Sequence, residues 1–92
     1  MPARPSGRGS RSRDDADPGA AVRRELLANR VRAARAEAGL TQEEAAHRAG
    51  MQTAVYSRIE RAEVDPHIST VSKIAQALGA PVTELVVGLD RI

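Results

Sequence analysis

Ninety-two residues carry 14 basic and 12 acidic side chains, a formal charge of only +2, so overall charge does not by itself name a polyanionic partner. There is no Cys, Phe or Trp and a single Tyr; that excludes a disulfide framework, a thiol nucleophile and a thiolate zinc site, and leaves a small aliphatic core. Alanine and arginine favour helix and β-branched runs are absent, so the expectation is one all-α domain.

The chain divides near residue 20. Residues 1–20 are mostly Arg, Ser, Gly, Pro and Asp, with almost nothing to bury, and such a leader is expected to stay disordered. Arg4, Arg8, Arg11 and Arg13 make its first part basic, and Asp14, Asp15 and Asp17 follow. No apolar run stands behind those arginines, so the leader is not a secretory signal. No stretch approaches the roughly 20 apolar residues of a membrane span, and the expected location is the cytoplasm.

Residues 21–92 read as the folded part. A first helix is predicted over Ala21 to Ala38, with Leu27, Val31, Ala34 and Ala38 as its buried stripe and Gly39 as its stop. A second is predicted over Gln42 to Ala49. Thr41 and Glu44 have the spacing of a capping box, and Ala45, Ala46 and Ala49 face inward. Gly50 supplies the tight turn. A third helix is predicted over Thr53 to Arg61, with Gln52 at its start, Tyr56 and Ile59 toward the core and Val55 at the edge. Thr53, Ala54, Ser57 and Arg58 then point outward. A fourth runs from Ile68 to Leu78 through Val71, Ile74 and Ala75, closed by Gly79. Pro81 opens a short fifth through Val86, and Gly88 to Ile92 form a tail.

Residues 41–61 are therefore two short helices joined at a glycine. That is a helix-turn-helix, whose second helix can enter the major groove of DNA. The order of residues resembles the Cro/repressor-type helix-turn-helix family, also called the xenobiotic-response-element family. Three segments carry the resemblance: Gly39-Leu40-Thr41-Gln42-Glu43-Glu44, Ser57-Arg58-Ile59-Glu60-Arg61 and Lys73-Ile74-Ala75-Gln76-Ala77-Leu78-Gly79. It covers about residues 26 to 86 and implies a five-helix, lambda-repressor-like domain that binds double-stranded DNA in a sequence-specific way, as a repressor dimer on a two-fold operator.

The resemblance also implies residue roles. Gln42 matches a position that binds a phosphate and braces the recognition helix, and Thr41 beside it joins the DNA-facing set. Thr53, Ala54, Ser57 and Arg58 match positions that face base edges, with Gln52 and Arg61 as flanking backbone contacts. Arg35 and Glu60 match an ion pair between the first and third helices. Three residues depart from the pattern. Ala45 stands where leucine is usual, Tyr56 where an aliphatic residue is usual, and Ala62 where glycine usually closes the third helix.

Each role has a plainer counterpart. Gln42 can be a first-turn helix residue, Arg58 and Arg61 solvated charges, and Ala54 only a helix former. The Arg35–Glu60 pair is read as structural. The basic leader is either a solvated segment or an arm that reaches DNA. His47 and His67 have no Cys or acid at ligand spacing, so no metal, cofactor or enzymatic chemistry is expected. Val82, Leu85, Val86, Val87, Leu89 and Ile92 are more apolar than a short helix and tail can bury alone, and are read as a homodimer interface. Two other readings stay open. One is an antitoxin that binds a toxin protein through the leader or tail. The other is a protein-interaction module that kept the fold without DNA binding.

Overall fold

The computed structural model describes residues 17–92. Among these residues there are five α-helices and no strand: α1 (Ala20–Ala38), α2 (Gln42–Arg48), α3 (Thr53–Glu60), α4 (Ile68–Leu78) and α5 (Val82–Val86), followed by a 3-10 turn at Leu89–Arg91. The basic part of the leader lies outside the described residues. Its last residues do not behave as a solvated segment. Asp17 accepts from the Gly19 amide at 3.2 Å, and its backbone carbonyl accepts from Ala20. Its side chain also pairs with Arg23, and Ala20 is buried. The helix therefore starts one residue before the expected Ala21, because Asp17 orders the turn that feeds it.

One core joins all five helices. Leu27, Val31 and Ala34 of α1 meet Ala45, Ala46 and Ala49 near α2, Tyr56 and Ile59 of α3, Val71, Ile74, Ala75 and Leu78 of α4, and Leu85 of α5. Fully burying a residue such as Ile74 or Leu85 contributes about 1.5–3 kcal/mol. Ala38 departs from its predicted stripe. It is exposed and lines an open groove with Leu78, Gly79 and Ala80, beyond the reach of the covering helices.

Helix α1 is the spine, and its arginines hold α3, α5 and the C-terminal segment by backbone oxygens. Arg30 donates to the carbonyls of Leu85 and Val87 at 3.2 and 2.6 Å, satisfying two acceptors at the C-terminal end of α5. Arg32 donates to the carbonyl of Glu60, the last residue of α3. Arg23 donates to the Ile92 carbonyl at 3.2 Å, drawing the C-terminal segment against the start of α1.

Four helices end in the same way. After α1, α2, α3 and α4, two reverse hydrogen bonds close the last turn. Their amides belong to Gly39 and Leu40, Gly50 and Met51, Ala62 and Glu63, and Gly79 and Ala80. The first residue of each pair has positive φ: 71°, 70°, 61° and 71°. Only at α3 is that residue not glycine. An L-residue there costs roughly 1–2 kcal/mol, and glycine gives part of that back by its freedom in the unfolded chain. Ala62→Gly is therefore expected to stabilise the fold by about 0.5–1 kcal/mol, seen as a melting temperature a few degrees higher. An unchanged or lower midpoint would show that the turn absorbs alanine without strain.

A braced helix-turn-helix as the candidate nucleic-acid interface

The two short helices are built as the spacing requires. The Thr41 hydroxyl accepts from the Glu44 amide at 3.1 Å, and the Glu44 carboxylate accepts from the Thr41 amide at 2.8 Å, completing the capping box. The Thr41 hydroxyl is thus occupied as a cap. Gly50, in the left-handed conformation, turns the chain toward α3.

The orientation of α3 is fixed by one carboxylate. Glu60 is 1% exposed, the one buried charged residue among those described. Its Oε2 accepts from Arg35 Nε at 2.7 Å and from the Tyr56 hydroxyl at 2.6 Å. Its Oε1 accepts from Arg35 Nη2 at 3.0 Å and from Gln42 Nε2 at 2.8 Å. Donors from α1, α2 and α3 thus fill the four acceptor positions of one ion. Arg35 also donates to the Leu40 carbonyl at 3.0 Å, tying in the loop between α1 and α2.

The expected ion pair is present, but it is half of a larger cluster. Tyr56 sends its hydroxyl into this cluster rather than to water, and the whole residue is buried. Gln42 braces α3 through the carboxylate.

The balance of charge in the cluster follows from its geometry. Burial works to raise the Glu60 carboxyl, and the bonds from Arg35, Tyr56 and Gln42 together outweigh it, holding the group below its ordinary value of 4.5. Burial, then the bond to Glu60, raises the Tyr56 hydroxyl above its ordinary value of 10.0. The bond to Glu60 raises Arg35 against the opposing effect of burial.

Around this brace, α3 turns a face outward. Gln52, Thr53, Ala54 and Arg58 are exposed. Among the described residues, the guanidinium of Arg58 makes no hydrogen bond or ion pair, and neither does that of Arg48 on α2. Ser57 is half-buried, and its hydroxyl accepts from Arg61 at 2.8 Å. Arg61 also pairs with Glu63 at 2.8 Å, which raises the guanidinium and lowers the carboxyl. Two of the positions read as DNA-facing are therefore engaged with each other. Val55 is 42% exposed and lies outside the core, farther out than the edge position expected for it.

The C-terminal residues divide. Leu85 is fully buried in the chain's own core, which removes it from the expected dimer contacts; α5 needs it to dock on the rest of the domain. Val82, Val86 and Leu89 pack partly on that core, while Val87 and Ile92 stay exposed at 64% and 41%. The arginine anchors were not legible as such in the sequence. A guanidinium bound to a distant carbonyl leaves no spacing signal.

Because the folded carboxyl of Glu60 lies below its unfolded value, its contribution is complete above pH 4.5 and is lost as pH falls through the folded value. Glu60→Gln should flatten the fall of melting temperature below pH 4.5 relative to the unaltered chain. Arg35→Met alone should cost about 3–5 kcal/mol, since it strands a buried charge. The triple change Arg35→Met, Tyr56→Phe, Glu60→Leu should cost less than the sum of the single changes. Additive losses in thermal melts would show that these groups do not act as a unit.

Comparison with known proteins agrees with this geometry. A family model described as helix-turn-helix matches residues 31–85. A relative named as an uncharacterized helix-turn-helix-type transcriptional regulator, y4dJ of Sinorhizobium fredii, is 39% identical over 68 residues, covering 74% of this chain and 88% of that protein. The transcriptional repressor RstR of the cryptic phage CTXphi, from Vibrio cholerae, is 34% identical over 61 residues, covering 66% of this chain and 55% of the repressor. Among solved structures, a helix-turn-helix regulator from Vibrio cholerae superposes with a TM-score of 0.69 at 30% identity, covering 73% of this chain and 38% of that one. The hypothetical transcription factor NHTF from Neisseria gives a TM-score of 0.67 at 32% identity, covering 74% of this chain and 79% of that one. With the family model spanning more than half of the chain and the capping box, glycine turn and exposed second helix all in place, this chain belongs to the Cro/repressor-type helix-turn-helix family of transcriptional regulators.

Proposed function

We propose that the protein is a sequence-specific repressor that binds a two-fold DNA operator as a homodimer. The observation that carries this reading is the pairing of a rigid brace with an open face. Glu60 locks α3 from within, while Thr53, Ala54 and Arg58 remain unengaged outside. A helix held this firmly loses little freedom on entering the groove. Arg58 is the best single reader of sequence, because a guanidinium can bond guanine O6 and N7 together. Gln42 and Gln52 sit at the starts of α2 and α3, where backbone amides favour phosphate; Thr41, both of whose groups are taken by the capping box, is left out of this set. Occlusion of a promoter by the bound dimer is the mechanism.

The relative RstR, a phage repressor by name, supports the direction of regulation. Exposed Val87 and Ile92, with the partly exposed Val82, Val86 and Leu89, support self-association at the C-terminal end. One recognition helix reads only a few base pairs, so two copies with half-sites about 34 Å apart meet the need for selectivity.

Selection of bound duplexes from a random pool tests the reading, with a two-fold symmetric motif as the expected result. Arg58→Ala should then weaken the best duplex by about 1–3 kcal/mol and relax one base pair per half-site. Unchanged affinity and motif would remove Arg58 from the reading face. Glu63→Gln should have the opposite effect: freeing Arg61 and deleting a negative charge tightens binding by up to about fivefold and steepens its salt dependence. Weaker binding would mean that the Arg61–Glu63 pair is itself needed on DNA. For assembly, sedimentation at micromolar concentration should show twice the monomer mass, and Val87→Asp should reduce it without disturbing the monomer's fold. A monomer both free and on a two-half-site duplex would overturn the dimer.

A further inference from the structure

The outward face of α3 is poor in hydrogen-bonding groups. Ser57 is engaged by Arg61, which leaves Thr53 and Arg58 as its unengaged polar side chains. Beside them stand Ala54, exposed, and Val55, 42% exposed. Val55 belongs to no core cluster and adds nothing to helix formation, since a β-branched residue is a poorer helix former than alanine. The other large exposed apolar residues, Val22, Ile68, Val87 and Ile92, lie on α1, α4 and the C-terminal segment. A single exposed valine is ordinary on a protein surface. Its position is what distinguishes this one. At 3.6 residues per turn, Val55 sits one turn before Arg58, on the flank away from Ser57.

We propose that Val55 is a specificity-determining residue that reads the 5-methyl group of a thymine next to the base pair contacted by Arg58. The inference rests on the DNA-binding reading above and deepens it. Thymine carries the one apolar group that the four ordinary bases present in the major groove. A valine in a helix is held largely in one χ1 rotamer, so its methyl groups meet that surface with little further loss of freedom. Arg58, three residues on, brings the guanidinium to a neighbouring base edge. The two side chains together specify a guanine with an adjoining thymine, where Arg58 alone would specify only the guanine.

The test uses the full chain and the best duplex it selects, with each thymine replaced in turn by deoxyuridine, which keeps every hydrogen-bonding group and lacks only the methyl. At one thymine per half-site, beside the base pair that Arg58→Ala relaxes, the replacement should weaken binding about fourfold, the worth of one buried methyl-sized group. Val55→Ala should weaken the thymine duplex by a similar factor and lose the sensitivity to deoxyuridine. Val55→Thr, nearly the same shape, should fold equally well and lie between the two. Thermal melts of all variants should coincide or rise, because Val55 has no core role. Binding in which no thymine matters more to the unaltered chain than to Val55→Ala would overturn this assignment alone. A chain that selects no duplex at all would overturn the DNA-binding reading and this assignment with it.

Discussion

A single ionised carboxylate holds the helix-turn-helix in its working geometry. Taking Glu60 out of water carries a desolvation cost of several kcal/mol, and the fold offsets it with four hydrogen bonds, two of them from one guanidinium. The donors come from three different helices, so the carboxylate is satisfied only when α1, α2 and α3 are all in place. Aliphatic contacts among alanines would allow many small slides and rotations. A planar guanidinium on a planar carboxylate, with a phenol and an amide on the remaining lone pairs, allows one. The cluster supplies orientation that an alanine-rich core lacks.

Helix α1 extends this constraint along the molecule. Arg32 and Arg35 hold the end of α3, and Arg30, two residues before Arg32, holds the end of α5. The outward face of α3 and the apolar C-terminal end are therefore fixed to the same rod. The exit from α3 is the least idealised part of the fold. The other three reverse-bonded helix ends have a glycine in the left-handed position and an apolar residue behind it, Leu40, Met51 or Ala80, partly buried on the core. At α3 those places hold Ala62 and Glu63, so the turn is strained and its last residue points to solvent, where it meets Arg61. The departure falls at the end of the helix whose outward face is proposed to read DNA.

Much of the fold was legible because it rests on local rules. Thr41 and Glu44 announced the start of α2, glycines announced three of the helix ends, and the spacing of Val71, Ile74, Ala75 and Leu78 announced α4. The strained turn at Ala62 was legible as a departure from pattern. What could not be read depends on contacts between residues far apart in the chain. Tyr56 and Glu60 are one helical turn apart, yet their bond is meaningful only because Arg35 and Gln42 arrive from elsewhere. Leu85 looked like surplus apolar surface until α1 and α4 closed over it. Ala38 looked buried by periodicity, but periodicity does not say where a neighbouring helix stops.

The use of arginine as an internal fastener has a consequence for how such a regulator searches a genome. Four of the arginines on α1 have guanidiniums bound to carbonyl oxygens or acids, and Arg61 is matched by Glu63. Those bound to carbonyls keep their charge, but their guanidiniums are held inward and are not free to follow arbitrary phosphates. Affinity for bulk DNA rises with the number of phosphate contacts, so in a DNA-binding regulator each arginine held in the framework is one not spent on irrelevant sites. In such a regulator every fastener of this kind lowers the background against which a cognate site would compete.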